Sequence, residues 1–152
     1  MWVGLVRHVT FIFLNGGKPM NDKKFSSSSY FQTIQDKKII GSKCVDCGAV
    51  HLPPREICAT CLSENMEEVS FSGKGELAAY SVIYVPPTAM IEAGFGRDNP
   101  NVAGIVKLVE GPMISAQIVG LDTKNPAEIK IGTPLKATFV ERGDRVFLAF
   151  EA

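Results

Sequence analysis

Cys44-Val45-Asp46-Cys47-Gly48, then Leu52-Pro53-Pro54-Arg55, then Cys58-Ala59-Thr60-Cys61 is the stretch that decides the reading of this chain. Two residues between the cysteines of each pair let both sulfurs of a tight turn point inward at one ion. Two such pairs separated by ten residues place four thiolates at tetrahedral positions. Gly48 relieves the first turn, where a left-handed backbone is favoured. Cys61 has no glycine after it, so the second turn departs from the first. Pro53 and Pro54 lack donors and fix φ, so the interior reads as two turns joined by extended chain. The readings that compete with a metal site are disulfides, a redox dithiol and buried small hydrophobes. Clustered Cys-x-x-Cys pairs in an intracellular chain favour metal over all three. Four protein sulfurs leave no position for water or substrate, so Cys44, Cys47, Cys58 and Cys61 are expected to hold one structural Zn ion, with Fe as the competing metal.

All four cysteines of the 152 residues lie between Cys44 and Cys61, so no thiol remains for catalysis. The formal net charge is zero, and from Phe71 onward eight Lys/Arg face nine Asp/Glu, a balance that disfavours a phosphate-binding surface. Fourteen glycines and nine prolines are scattered among short Val-, Ile-, Phe- and Tyr-rich runs, which predicts a mainly β chain.

Trp2 to Leu14 is the one long apolar stretch. Arg7 and His8 interrupt it, it is too short to span a bilayer, and it lacks the basic start and small-x-small site of a signal peptide. The expected location is cytoplasmic. Gly16 and Gly17 need codons that can spell a ribosome-binding sequence, and Met20 follows at a suitable distance. Translation is therefore expected to start at Met20, which makes 1–19 an upstream extension.

Residues 20–40 form a helical lead-in. Within it Phe25 to Lys38 reads as one helix, with Ser29 as the cap, Gln32 closing a capping box, and Phe31 and Ile34 on a shared face. The metal ribbon is assigned to 41–69 and a barrel to 70–152. In the barrel, the first strand runs from about Gly75 to Val85, with Tyr80, Val82 and Tyr84 on one face and Leu77, Ala79, Ser81 and Ile83 on the other. A loop from Pro86 to Pro100 leads to Val102–Val109, and Glu110-Gly111-Pro112 turns the chain into Met113–Val119. A connector from Asp122 to Gly132 precedes Leu135–Val140 and Val146–Phe150, paired across Glu141-Arg142-Gly143-Asp144. Five antiparallel strands of this kind suit a small, partly open OB-type barrel, with a sandwich as the alternative.

Other motifs carry little. Gly73-Lys74-Gly75-Glu76-Leu77-Ala78 fits G-x-G-x-x-A but opens a strand, whereas a dinucleotide site needs a strand-to-helix turn. His51 has no implied partner carboxylate, and no serine sits in a G-x-S-x-G elbow, so a hydrolytic triad is not supported. Tyr80 and Tyr84 can be read as a stacking platform for single-stranded nucleic acid, or equally as a core face. No basic groove accompanies them.

Taken in order, Tyr30-Phe31, Cys44-x-x-Cys47-Gly48, Leu52-Pro53-Pro54-Arg55, Cys58-x-x-Cys61, Ser72-Gly73-Lys74-Gly75 and Ile131-Gly132 resemble a family of rubredoxin-like zinc ribbons fused to OB folds. The match runs from Ser29 to Phe150. Members were first described as of unknown function or as nucleic-acid-binding, and many accompany thiolase-like enzymes as non-catalytic partners in acyl-CoA chemistry. The resemblance implies a scaffold subunit like those of the archaeal branch, which join acetoacetyl-CoA thiolase to hydroxymethylglutaryl-CoA synthase in the mevalonate route. Any CoA contact would then come through the partner complex. Met90, Ile91 and Phe95, apolar residues in the Pro86–Pro100 loop, are the candidate partner contacts.

Overall fold

The computed structural model describes residues 24–152, so the 1–19 extension and the Trp2–Leu14 stretch lie outside the described residues. Helix α1 spans Ser27–Gln35, and its cap is Ser26, whose side-chain oxygen accepts from the Ser29 amide at 3.1 Å. The expected cap, Ser29, is instead inside the helix and donates its hydroxyl to the Ser26 carbonyl at 2.8 Å. The helix is shorter at both ends than the expected Phe25–Lys38, and Tyr30 lies within it, four residues from Ile34. Both face the barrel, and Ile34 is 4% exposed. Phe31, expected to share that buried face, is 64% exposed.

The ribbon contains a sheet that its turns did not announce. Strands β1 (Ile40–Cys44), β2 (Val50–His51) and β3 (Met66–Ser70) pair antiparallel in the order β2-β1-β3. β1 is glycine at position 41 because a Cβ there would lie 2.4 Å from the His51 carbonyl oxygen and 2.5 Å from the Phe71 ring. The strand thus passes between β2 and the ring that roofs the barrel.

The barrel is built from β4 (Lys74–Ile83), β5 (Asn101–Leu108), β6 (Met113–Val119), β7 (Pro134–Arg142) and β8 (Arg145–Glu151). A short helix α2, Thr88–Glu92, lies in the loop between β4 and β5. A 3-10 turn at Pro126–Glu128 lies in the connector between β6 and β7. The chain is mainly β, as expected, and its five-stranded OB-type barrel is closed rather than partly open. The order is β4-β5-β6-β8-β7, and Lys74, Gly75 and Glu76 of β4 pair with β7 to complete the circle.

Two expectations are corrected here. The strands are not all antiparallel, because β6 and β8 pair parallel through Gln117↔Ala149, Ile118↔Phe150 and Val119↔Glu151. The connector after β6 carries the chain across the barrel before the β7–β8 hairpin forms, so β8 returns in the direction of β6. The faces of β4 also do not alternate strictly. Its register with β5 shifts between Leu77 and Ala79, and this bulge turns Leu77 to the same inner side as Tyr80 and Val82. Leu77 is fully buried while Ala79 and Ser81 are exposed.

Leu77, Val106, Leu108, Ile118, Leu135 and Phe150 are central to the core, and Ile39, Leu52 and Phe71 extend it without interruption beneath the ribbon. At about 25 cal/mol per Å² of buried apolar surface, this shared cluster is the main force holding the ribbon against the barrel.

Candidate metal centre

Each cysteine pair sits in a turn with the same backbone pattern. In the first, Cys44 N–H donates to the Ala49 carbonyl (2.8 Å) and Gly48 N–H to the Cys44 carbonyl (3.0 Å). In the second, Cys58 N–H donates to Ser63 (2.9 Å) and Leu62 N–H to Cys58 (3.0 Å). Gly48 has φ +73° and Leu62 has φ +62°, so the second turn takes the left-handed conformation without a glycine. These matched turns aim the sulfurs at one point. Cys44 and Cys61 Sγ are 3.5 Å apart, as are Cys47 and Cys58 Sγ, and all four lie within 4.8 Å of one another. A tetrahedral zinc ion with Zn–S of about 2.3 Å holds its sulfurs about 3.8 Å apart, which this quartet fits.

The surroundings favour thiolate at Cys58. The Thr60 amide donates to Cys58 Sγ at 3.4 Å, and His51 Nε2 lies 3.4 Å from the same sulfur. The Cys61 amide first, then His51, bring the Cys58 thiol down to about 5. At Cys61 the Ser63 amide acts to lower the pKa, but the neighbouring Cys47 and Cys44 sulfurs together with burial outweigh it and push the thiol up to about 12. A divalent ion ends this competition among sulfurs for protons. Cys44 and Cys58 are fully buried and Cys47 and Cys61 are exposed, so one side of the cluster faces solvent.

Residues that no sequence motif marked join the two turns. The Asp46 carboxylate accepts from the Ser63 hydroxyl and from Asn65 Nδ2 (3.0 Å), while Val45 N–H donates to the Asn65 carbonyl (2.9 Å). His51, for which the sequence implies no partner, stands beside a sulfur of the candidate metal quartet. β2 carries it there, a pairing that the loop sequence did not reveal.

The three candidate partner contacts differ in placement. Ile91 on α2 is 55% exposed. Met90 and Phe95 turn back to the barrel. Arg142 Nη1 donates to Met90 Sδ at 3.2 Å, and the guanidinium lies 5.3 Å from the Phe95 ring centre and 5.5 Å from that of Phe147. Arg142 also donates to Gln117 Oε1, which ties the loop to β6. Tyr80 donates its hydroxyl to the Pro126 carbonyl at 2.9 Å and packs on the core, which leaves it unavailable for stacking. The Gly73–Ala78 run enters β4 instead of joining a strand to a helix. Among the described residues, no helix is long and apolar enough to cross a membrane.

Comparison with known proteins gives matches over both parts of the chain. Residues 34–67 match the family described as ChsH2, rubredoxin-like zinc ribbon domain, and residues 68–140 match ChsH2, C-terminal OB-fold domain. A DUF35 domain-containing scaffold protein of Pyrococcus furiosus is 36% identical over 132 residues, covering 86% of this chain and 85% of that protein. One from Methanocaldococcus jannaschii is 40% identical over 102 residues, covering 66% of this chain and 67% of the relative. Among solved structures, an Ltp2-ChsH2(DUF35) aldolase matches with a TM-score of 0.67 and 25% identity, over 82% of this chain and 91% of that one. A DUF35-family protein of unknown function from Sulfolobus solfataricus has the same fold, with a TM-score of 0.57 and 21% identity, over 82% of this chain and 83% of its own.

Proposed function

The chain belongs to the DUF35 family of zinc-ribbon and OB-fold scaffold proteins, and on that premise we propose that it is a non-catalytic adaptor holding two acyl-CoA enzymes together. The enzymes are an acetoacetyl-CoA thiolase and a hydroxymethylglutaryl-CoA synthase, and the adaptor's contribution is to place their active sites side by side. One Zn ion held by Cys44, Cys47, Cys58 and Cys61 keeps the ribbon folded. When bound, it supplies structure and no Lewis-acid chemistry, because four thiolates fill its coordination shell.

The observation that carries the reading is the commitment of every cysteine in the chain to one closed quartet. Thiolase-type condensation needs a reactive thiolate beside a base. That chemistry belongs to the partner chains, and any acyl-CoA is held there. The scaffold-protein names of the archaeal relatives support this reading, as does the pairing of ChsH2 with Ltp2 in the aldolase structure. Ile91 is the exposed member of the candidate contact loop, and Met90 and Phe95 shape the surface behind it.

The test is reconstitution from purified proteins. Thiolase and synthase from the same cell are expected to co-elute as one complex only when this chain is added. Two enzymes that stay apart in its presence, or bind each other equally well without it, would sink the proposal.

A further inference from the structure

Helix α1 and strand β8 leave an open apolar groove of about 430 Å³ between them. Its floor is Ile34 and Ile114, 4% and 9% exposed, and its walls are Phe31, 64% exposed, and Phe147, 41% exposed. Arg145 lines the same groove. In the β7–β8 hairpin Arg145 stands directly opposite Arg142, a like-charged cross-strand pair that disfavours itself. Arg142 is accommodated by the Phe95 and Phe147 rings and by Gln117. The Glu141 carboxylate is already held by Lys37 at 2.8 Å. Among the described residues Arg145 has no ion-pair partner.

From this geometry we propose that the groove receives a segment of one partner enzyme carrying an apolar side chain beside a carboxylate. The apolar group enters between Phe31 and Phe147, and the carboxylate meets Arg145. The inference rests on the adaptor reading and names the surface that one of the two enzymes uses. Two other occupants fit less well. Small-molecule sites enclose most of their ligand, whereas the aromatic walls here stand open to solvent. A second copy of this chain would bring a groove against a groove, since a two-fold contact must be self-complementary.

The experiment measures binding of the full-length zinc-loaded chain to purified thiolase and, separately, to purified synthase, with the wild type, Phe31→Ala, Arg145→Gln and Arg145→Glu. Zinc content and circular dichroism check the fold of each variant. Phe31→Ala is expected to weaken binding to one enzyme by about thirtyfold and Arg145→Glu by at least about tenfold, with the other enzyme unaffected. Arg145→Gln should flatten the salt dependence of that same affinity. Wild type that binds while all folded variants bind within twofold of it overturns the groove but leaves the adaptor standing. Wild type that binds neither enzyme overturns both. A wild-type dimer that Phe31→Ala turns into monomer assigns the groove to a second copy and overturns the partner-segment proposal.

Discussion

Leu62 holds the left-handed backbone (φ +62°) one residue beyond Cys61 that Gly48 holds (φ +73°) one residue beyond Cys47. A leucine in this region costs on the order of 1 kcal/mol that glycine does not, and Leu62 recovers little by burial because it is 76% exposed. Leu62→Gly is expected to leave stability unchanged or raise it by up to about 1 kcal/mol, since glycine's larger entropy loss on folding offsets part of the gain. Leu62→Val, β-branched at positive φ, should lower it by about 1 kcal/mol or more. Thermal unfolding of the zinc-loaded proteins checks both, and a Leu62→Gly variant clearly less stable than wild type would refute the argument.

Cys47→Ser removes one exposed ligand of the quartet. The ion should be lost and the amides of β1 to β3 should exchange rapidly, while those of β4 to β8 stay protected by their own core. Elemental analysis and hydrogen exchange read the two effects separately. A variant that keeps its metal and its ribbon protection would contradict the structural role of the site.

Lys37 fastens the end of α1 to β7 by donating to Glu141, and that contact holds the Glu141 carboxyl below the ordinary carboxylate range. A folded-state pKa below the unfolded one contributes stability that is fully present above the ordinary range and lost as pH falls through the lowered value. Protection of α1 amides should therefore fall at acid pH and with added salt. Glu141→Gln should show the reduced protection already at neutral pH, with an effect that is small because both groups are exposed. Equal α1 exchange in Glu141→Gln and wild type would remove the fastening role.

Arg142→Met cuts the tie between the 86–100 loop and the barrel by removing two ring contacts and the bonds to Met90 and Gln117. The local loss is about 1 to 2 kcal/mol, so tryptic cleavage after Arg97 should accelerate by roughly tenfold. Limited proteolysis with mass detection measures it. An unchanged cleavage rate would show that the loop is held by something else.

How much of the fold is legible in the sequence depends on how local each signal is. The Glu110-Gly111-Pro112 turn and the strand after it were plain, because a hairpin is specified by adjacent residues. The cysteine spacing carried the quartet for the same reason. Ser29 is the expected cap of α1, but it sits in a run of four serines whose side chains can all accept from a helix amide, and the cap in the structure is Ser26. The bulge after Leu77 is set by the register with β5, and the parallel β6–β8 pairing joins strands separated by the connector and a hairpin. Neither leaves a period in the sequence. The β1–β3 sheet was missed because its strands are two to five residues long and largely polar. The groove was missed because Phe31 and Phe147 meet only in the tertiary fold.

The parallel seam between β6 and β8 also dictates an order of events on the ribosome. All four cysteines of the quartet have been synthesised by Cys61 and the last ribbon strand by Ser70, so an ion held there would be captured while the remaining half of the chain is still emerging. The cylinder cannot close until Ala149, Phe150 and Glu151 have left the exit tunnel. Until then the nascent chain exposes the edge of β6 and the uncovered faces of Ile118 and Leu77. That interval is when pausing or chaperone capture would decide the yield of folded protein.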